Sequence, residues 1–459
     1  APEIDASRIV RPERFILPEV SGLTVPTVAM RDGKPAGRWM LYLRWADGRR
    51  EAIPLPPSIE IGGKAVFIHP EPAPPAINMP CGWSADARER WLEGEPAPDP
   101  AEVFKAVCER IAYYLDFPGD KAPGTTATLA TWVLLTYCYP AWPAVPYLYF
   151  GGTKGSGKTT AFGVLERMAF RAFSSSNLTA AALFRTLHDR GGTLLFDEAE
   201  RLRQSNDPAV GEVCSMLLAG YKRGGQATRL EPVGDTFRTV SFDVFGPKAL
   251  ACIAGLPAAL ASRCITVLML RAAPSSPKPR RRIDAEPGRW QSVRDDLHAL
   301  ALEHGDTWLA LANRDDVCPP MSGRDFELWQ PLLALAAWLE SHGARGLLGL
   351  MQQHALQTIE AAADDGTFEP DAVLLNILAD AVRAGERLTA SDILATAQER
   401  EPSTFRTWTP QGVARRLQYY GIPPATKVSG RREYRDVTPE HLRQIEIAHG
   451  IDLDCDDAR

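Results

Sequence analysis

The chain has 459 residues, 45% of them apolar and 24% charged, with a formal net charge of −6. These values match a soluble globular protein and exclude a wholly disordered chain, a collagen-like repeat, a disulfide miniprotein and a uniformly basic coat for nucleic acid. A length of this order suggests about three domains. Leu23–Met30, Arg38–Trp45 and Glu51–Leu55 read as strands, separated by the hairpin signals Asp32-Gly33 and Asp47-Gly48. Lys64–His69 is a further short strand. It is followed by a proline-rich segment at 70–75 and a Pro/acidic linker at 93–102. From Ala101 the apolar spacing becomes helical through Val103, Val107, Ile111 and Leu115, and a second helix covers Thr125–Tyr137. The mostly apolar stretch from Ala127 to Tyr139 is too short to span a bilayer, and no charged-then-apolar leader opens the chain. The chain opens on Ala1-Pro2 instead of Met, as a piece of a longer polypeptide would. Eight scattered cysteines without a CxxC pair or a Cys/His cluster read as reduced thiols, so the expected location is cytoplasmic, with no membrane partner.

An alternation of strands and helices follows: strand Tyr147–Phe150, helix from Lys158, helix Leu178–His188, strand Thr193–Phe196. This order implies an α/β unit with a largely parallel sheet. Gly152-Thr153-Lys154-Gly155-Ser156-Gly157-Lys158-Thr159 satisfies GxxxxGK[ST], with a strand before it and a helix, entered through Thr160, after it. Glycines let the backbone aim its N–H groups at phosphate, and the helix N-terminus adds positive potential. Lys158 would reach the terminal phosphates of ATP, and Thr159 would ligate Mg²⁺. In Gly192-Thr-Leu-Leu-Phe-Asp197-Glu198 a buried strand delivers two acids to a sheet edge: Asp197 to hold Mg²⁺, Glu198 to deprotonate the attacking water. Gln226–Glu231 and Thr236–Phe242 flank a Pro232–Asp235 turn as a hairpin, and strands follow at 249–254 and 265–270. Arg271–Arg289, rich in Pro and basic residues, reads as an exposed loop, and Trp290–Ala363 as helical. No internal repeat is present.

Leu260-Ala-Ser-Arg263, between two strands, resembles the arginine-finger segment of minichromosome maintenance helicases. With Gly155-Ser-Gly-Lys158-Thr, Leu195-Phe-Asp-Glu-Ala199, Gly220-Tyr-Lys-Arg223-Gly, Phe245-Gly-Pro-Lys248, Trp329-Gln-Pro-Leu-Leu333 and Leu417-Gln-Tyr-Tyr-Gly-Ile422, the chain from about 125 to 441 is similar to AAA+ ATPases of phages, plasmids and integrated elements. Members are often fused to, or encoded beside, primase domains. The resemblance implies an AAA+ P-loop core with a helical lid, between an N-terminal small β domain and a C-terminal winged helix. The corresponding boundaries are 1–99, 100–275, 276–365 and 366–459. It implies Arg263 as a finger acting on a neighbour's ATP, Arg324 as the lid arginine called sensor 2, and a hexameric ring; a primase or polymerase is an implied partner. The strand ending Ala251-Cys-Ile-Ala-Gly255 departs from the pattern, offering no polar sensor-1 residue.

For DNA, Arg229 and Arg238 flank the hairpin and Lys248 borders it, where ring helicases carry a pore loop for single-stranded DNA. Its tip, Val233-Gly-Asp235, carries no lysine. The last ninety residues read as a winged helix: helices over 371–383, 389–400 (with a cap-like Thr389…Asp392) and 409–420, then a hairpin near Ser429-Gly430. Between Arg400 and Arg435 eight basic residues face two acidic ones, with Arg415 and Arg416 on the third helix and Lys427, Arg431 and Arg432 on the wing. The expectation is an ATP-hydrolysing DNA helicase or replication initiator of a mobile element. Two rivals stay open. One is an ATPase switch or loader that does not unwind; the other is a winged-helix DNA binder that only holds nucleotide.

Overall fold

A computed structural model describes the chain except residues 1–2, 176–178, 198, 200–201, 203–207, 234–235, 254, 274, 322, 367–368, 401, 407, 429, 450–452 and 454–459. It divides into two compact units, residues 1–356 and 357–459. Strands open the first: β1 (Glu3–Val10), β2 (Arg14–Ile16), β3 (Val20–Arg31), β4 (Lys34–Trp45), β5 (Arg50–Pro54), β6 (Ser58–Ile61) and β7 (Lys64–Ile68). β2-β3-β4-β5 form an antiparallel meander, and β1-β7-β6 a separate sheet in which β1 runs parallel to β7. The two pack around Phe15, Leu41, Leu43, Ile59 and Val66.

Helices α1 (Ala85–Leu92), α2 (Pro100–Tyr114) and α3 (Ala122–Cys138) come next. Asp99 caps α2 by accepting from the N–H groups of Ala101 and Glu102, with Pro100 at the first helical position, where its missing N–H costs nothing. α3 is buried on nearly every side, as its unbroken Leu-Ala-Thr-Trp-Val-Leu-Leu run requires.

The central sheet uses β8 (Tyr147–Gly151), followed by α4 (Lys158–Met168), β9 (Phe173–Ser175), α5 (Ala180–Arg190), β10 (Leu194–Phe196), α6 (Pro208–Ala219), the hairpin β11 (Gln226–Val233)–β12 (Thr236–Asp243), β13 (Lys248–Cys252), α7 (Ala258–Ala261) and β14 (Cys264–Leu268). Its order is β14-β8-β13-β10-β9 and every pairing is parallel. The strands are near-continuously apolar because helices cover both faces. α8 (Pro287–Glu303), α9 (Gly305–Leu311), α10 (Gly323–Ser341) and α11 (Leu347–Gly366) complete the helical part. No helix among the described residues is long and apolar enough to cross a membrane.

The amino-terminal strands are fastened to this core by buried arginines. Arg14 is fully buried, and among the described residues no carboxylate pairs with it. Its guanidinium donates instead to the carbonyls of Tyr137 on α3 (2.9 Å), Ala301 on α8 (2.6 Å), Phe15 and Gly22, and to the Ser21 hydroxyl (2.8 Å). Arg171 likewise donates to Thr24 on β3 and to the Arg190 carbonyl. The region read from sequence as a separate β domain is thus cross-tied to α3 and α8.

The second unit holds α12 (Glu369–Ala384), α13 (Ala390–Arg400), α14 (Pro402–Phe405), α15 (Pro410–Tyr419), the hairpin β15 (Thr426–Val428)–β16 (Arg431–Glu433) and α16 (Pro439–His449). Its core joins Leu378, Ile393, Phe405, Leu417 and Leu442. The cap read at Thr389 is a reciprocal box: Asp392 accepts from the Thr389 N–H (2.8 Å), and the Thr389 hydroxyl accepts from the Asp392 N–H (3.1 Å).

Replacing Arg14 by Met removes the donor that ties the Tyr137 and Ala301 carbonyls to β2 and β3. It should lower unfolding free energy by at least about 3 kcal/mol in urea titration. A loss under about 1 kcal/mol would show that the clamp is dispensable.

Candidate nucleotide site and candidate nucleic-acid contacts

The phosphate-type loop occupies the place its sequence requires, leaving the carboxyl end of β8 at Gly151 and entering α4 at Lys158. Gly157 sits at φ 95°, a left-handed conformation that a side chain would strain. Gly152 is needed for closeness, because a Cβ there would stand 2.2 Å from the Met269 carbonyl oxygen. The Lys158 ammonium folds onto its own loop, donating to the carbonyls of Gly152 (2.7 Å) and Thr153 (3.1 Å). Ser156 is 5% exposed and its hydroxyl has no hydrogen-bond partner among the described residues, a buried polar group that suits a ligand.

A cavity of about 740 Å³ opens on this loop, a volume suited to a ligand of nucleotide size. Lys154, Gly155, Ser156, Gly157, Lys158, Thr159 and Thr160 form one wall. Asp197, immediately after β10, and Ile253, just beyond β13, lie on it too. The other wall is Tyr114, Leu115 and Asp116 from the end of α2, with Arg271 and Lys278 from the segment after β14. Among the described residues of this lining, Lys154, Lys158, Arg271 and Lys278 outnumber the carboxylates Asp116 and Asp197, which suits an anion. Lys278 pairs with Asp116 at 2.7 Å. That hydrogen bond, helped by one from Ser276 and opposed by burial, holds the Asp116 carboxyl below its usual range. The basic segment read as an exposed loop is therefore partly a wall of the cavity. Ile253, 54% exposed, gives the edge beyond β13 an apolar side chain, in keeping with the missing polar residue there. Glu198 lies outside the described residues.

No local motif marks Tyr114, Asp116, Arg271 or Lys278. Their segments are separated from the loop by dozens of residues, and only folding brings them to it.

Arg263 stands at the opposite edge of the sheet. Its carbonyl accepts from the Tyr147 N–H (3.0 Å) at the amino end of β8, while the phosphate loop leaves the carboxyl end. Along a strand of this length the two are about 13 Å apart before any side chain is added. Arg324 is on the first turn of α10, paired with Glu327 at 2.8 Å. Neither arginine lines the cavity.

The expected nucleic-acid contacts divide. Arg238 is exposed on β12. Arg229 is half-buried, stacked 5.0 Å from the Phe184 ring and paired with Glu212 at 3.3 Å. The hairpin's tip, 234–235, lies outside the described residues. Lys248 requires correction as a contact: it is 0% exposed, and its ammonium donates to the carbonyls of Val244 (2.8 Å), Gly246 (3.0 Å) and Gly220 (3.3 Å). It fastens the base of the hairpin to β13 and cannot meet a phosphate. In the second unit Arg415, Lys427, Arg431 and Arg432 are exposed. Lys427 and Arg432 lie directly across the β15–β16 ladder, a like-charge pair that favours an anion between them. Arg416 is held differently: its Nε lies 2.8 and 2.7 Å from the oxygens of Asp371, a residue 1% exposed that also accepts from the Tyr420 hydroxyl. Arg416 therefore serves the interior of the unit before any partner. Among the described residues no cluster of His, Cys, Asp and Glu could hold a metal by itself.

No family model matches the chain, and no curated protein does. Among solved structures, the A form apo structure of the NrS-1 C-terminal region (305–718) is similar at a TM-score of 0.33 and 12% identity, over 83% of this chain and 82% of that one. Another structure of the A form of that region gives 0.32 and 13%, over 86% and 93%. JCV helicase with a bound acetamide compound gives 0.22 and 15%, over 60% and 76%.

Burial draws the Lys248 ammonium down to about 7, against about 10.4 for an unfolded lysine. Between those values the unfolded chain binds more protons than the folded one, so this residue makes stability rise with pH from about 7 to about 10. Lys248→Met should remove that rise, read as denaturant midpoints at pH 7 and pH 9 for both proteins. Parallel pH profiles would contradict it.

Proposed function

We propose that the chain is an AAA+-type ATPase that hydrolyses ATP as an assembly of several copies and acts on DNA, as a helicase or replication initiator of a mobile element. One observation carries this reading: the glycine loop, Lys158, Thr159 and Asp197 share a cation-rich cavity at the carboxyl edge of a parallel sheet. That is where phosphate ligands of such sheets are bound. In this account the loop N–H groups and Lys158 hold the β- and γ-phosphates. Thr159 and Asp197 would hold Mg²⁺, which would supply charge neutralisation to the phosphate oxygens. Glu198 takes the proton of the attacking water. Arg263, on the far edge of the sheet, serves a neighbour's γ-phosphate, and head-to-tail repetition of that contact closes a ring, with a hexamer as the expected size. In this account the second unit acts as a winged helix and offers Arg415 on α15, and Lys427, Arg431 and Arg432 on the β15–β16 hairpin, to a duplex or fork.

A second reading draws on the internal engagement of Arg229 and Lys248. Fewer free cations near the hairpin suit a nucleotide-driven switch or loader that does not unwind. Both readings require turnover.

Steady-state ATP hydrolysis, with and without single-stranded DNA, tests the proposal. Lys158→Ala should lower kcat by about 10² to 10³-fold, and DNA should stimulate the wild-type chain. Turnover unaffected by Lys158→Ala would sink the site assignment. Hydrolysis indifferent to DNA, with no opening of a forked duplex, would favour the switch.

A further inference from the structure

Away from the cavity, at the amino ends of β8 and β14, one aromatic ring organises a group of cations. Tyr221 is 1% exposed, with its ring edge-on to that of Tyr147 at 5.9 Å. The guanidinium carbons of Arg324 and Arg263 lie 4.9 and 5.9 Å from the Tyr221 centroid, within the range where a ring attracts a cation. Glu327 accepts from Arg324 at 2.8 Å through one oxygen and from Lys222 at 2.7 Å through the other. Arg263 also donates to the Ala259 carbonyl, yet its Nε is buried without a hydrogen-bond partner among the described residues.

Two residues of α10, two following α6 and one preceding β14 thus converge: Arg324 and Lys222 share the Glu327 carboxylate, and Arg263 and Arg324 share the Tyr221 ring. Bringing like charges together opposes folding unless an anion is to be met there. The surrounding ring and carboxylate fix long side chains that would otherwise lose rotamer freedom on binding. No residue of this group lines the chain's own phosphate cavity.

We infer that Tyr221 and Glu327 are positioning residues that present Arg263, Arg324 and Lys222 as one preorganised site for the terminal phosphates of a nucleotide held by a second copy of this chain. The inference rests on the proposed hydrolysis in an assembly, and adds to it a platform without which the arginines are present but wrongly aimed.

The test uses the full chain as wild type, Tyr221→Leu, Tyr221→Phe and Glu327→Gln. It measures turnover against ATP, affinity for a fluorescent ATP analogue, and ATP-dependent self-association by sedimentation. Misplacing the arginines by about 1 Å should lower kcat by up to about 10²-fold in Tyr221→Leu. Nucleotide affinity of the dissociated chain, measured at concentrations too low for assembly, should stay unchanged, and ATP-dependent association should weaken. Tyr221→Phe keeps the ring and should restore both. Glu327 is partly exposed, so Glu327→Gln should fold normally and reduce kcat and association in the same direction. Normal kcat and association in Glu327→Gln, or equal loss in Tyr221→Phe and Tyr221→Leu, would overturn the inference. If the wild type shows no turnover, the hydrolysis proposal fails by itself, and the association readout still decides on the platform.

Discussion

Strand direction is the constraint on which the rest depends. In a sheet whose strands all run one way, every residue that precedes a strand lies on one edge and every residue that follows lies on the other. The glycine loop follows β8 and Asp197 follows β10, so both reach the carboxyl edge and share a cavity. Arg263 precedes β14 and is hydrogen-bonded to the start of β8, so it stands a strand's length away. No rotamer of one arginine closes that gap. In the proposed mechanism this separation makes the arginine available only to another molecule's nucleotide. Tyr221, packed against Tyr147 at the start of the same strand, belongs to the arginine edge for the same reason.

The molecule also buries cations in a consistent way. Arg14 and Lys248 are fully buried, and each is surrounded by backbone carbonyls instead of by a paired acid. A carbonyl cluster supplies acceptors without introducing a second charge that would itself need desolvation. Arg14 fixes β2 and β3 to α3 and α8. Lys248 fixes the hairpin base to β13, beside the strand that carries the glycine loop. The amino-terminal strands and the hairpin are therefore held to the frame that shapes the cavity.

Much of this was legible in the sequence where local chemistry decides the structure. The glycine loop, the Leu194–Phe196 strand, the buried helix α3, the Asp32-Gly33 hairpin and the Thr389 cap each follow from residues close together in the chain. Other elements carried weak local signals. β2 is three residues long and includes an arginine whose burial depends on acceptors from α3 and α8. α6 contains Gly211 and is apolar on most sides, so helical periodicity is blurred. The far wall of the cavity and the Tyr221 group could not be read, because each joins segments far apart in the chain. Lys248 and Arg416 look like surface cations in sequence, since nothing local reveals the carbonyls or the buried Asp371 that engage them.

The central claim is that hydrolysis needs groups from two copies of the chain. Mixing Lys158→Ala with Arg263→Ala tests it most directly, because each variant alone lacks one half of every site. The account predicts that each variant is inactive by itself and that the mixture regains turnover at interfaces where an intact loop meets an intact arginine. Absence of any recovery, with both variants folded and assembling as the wild type does, would contradict it, as would full activity of Arg263→Ala alone.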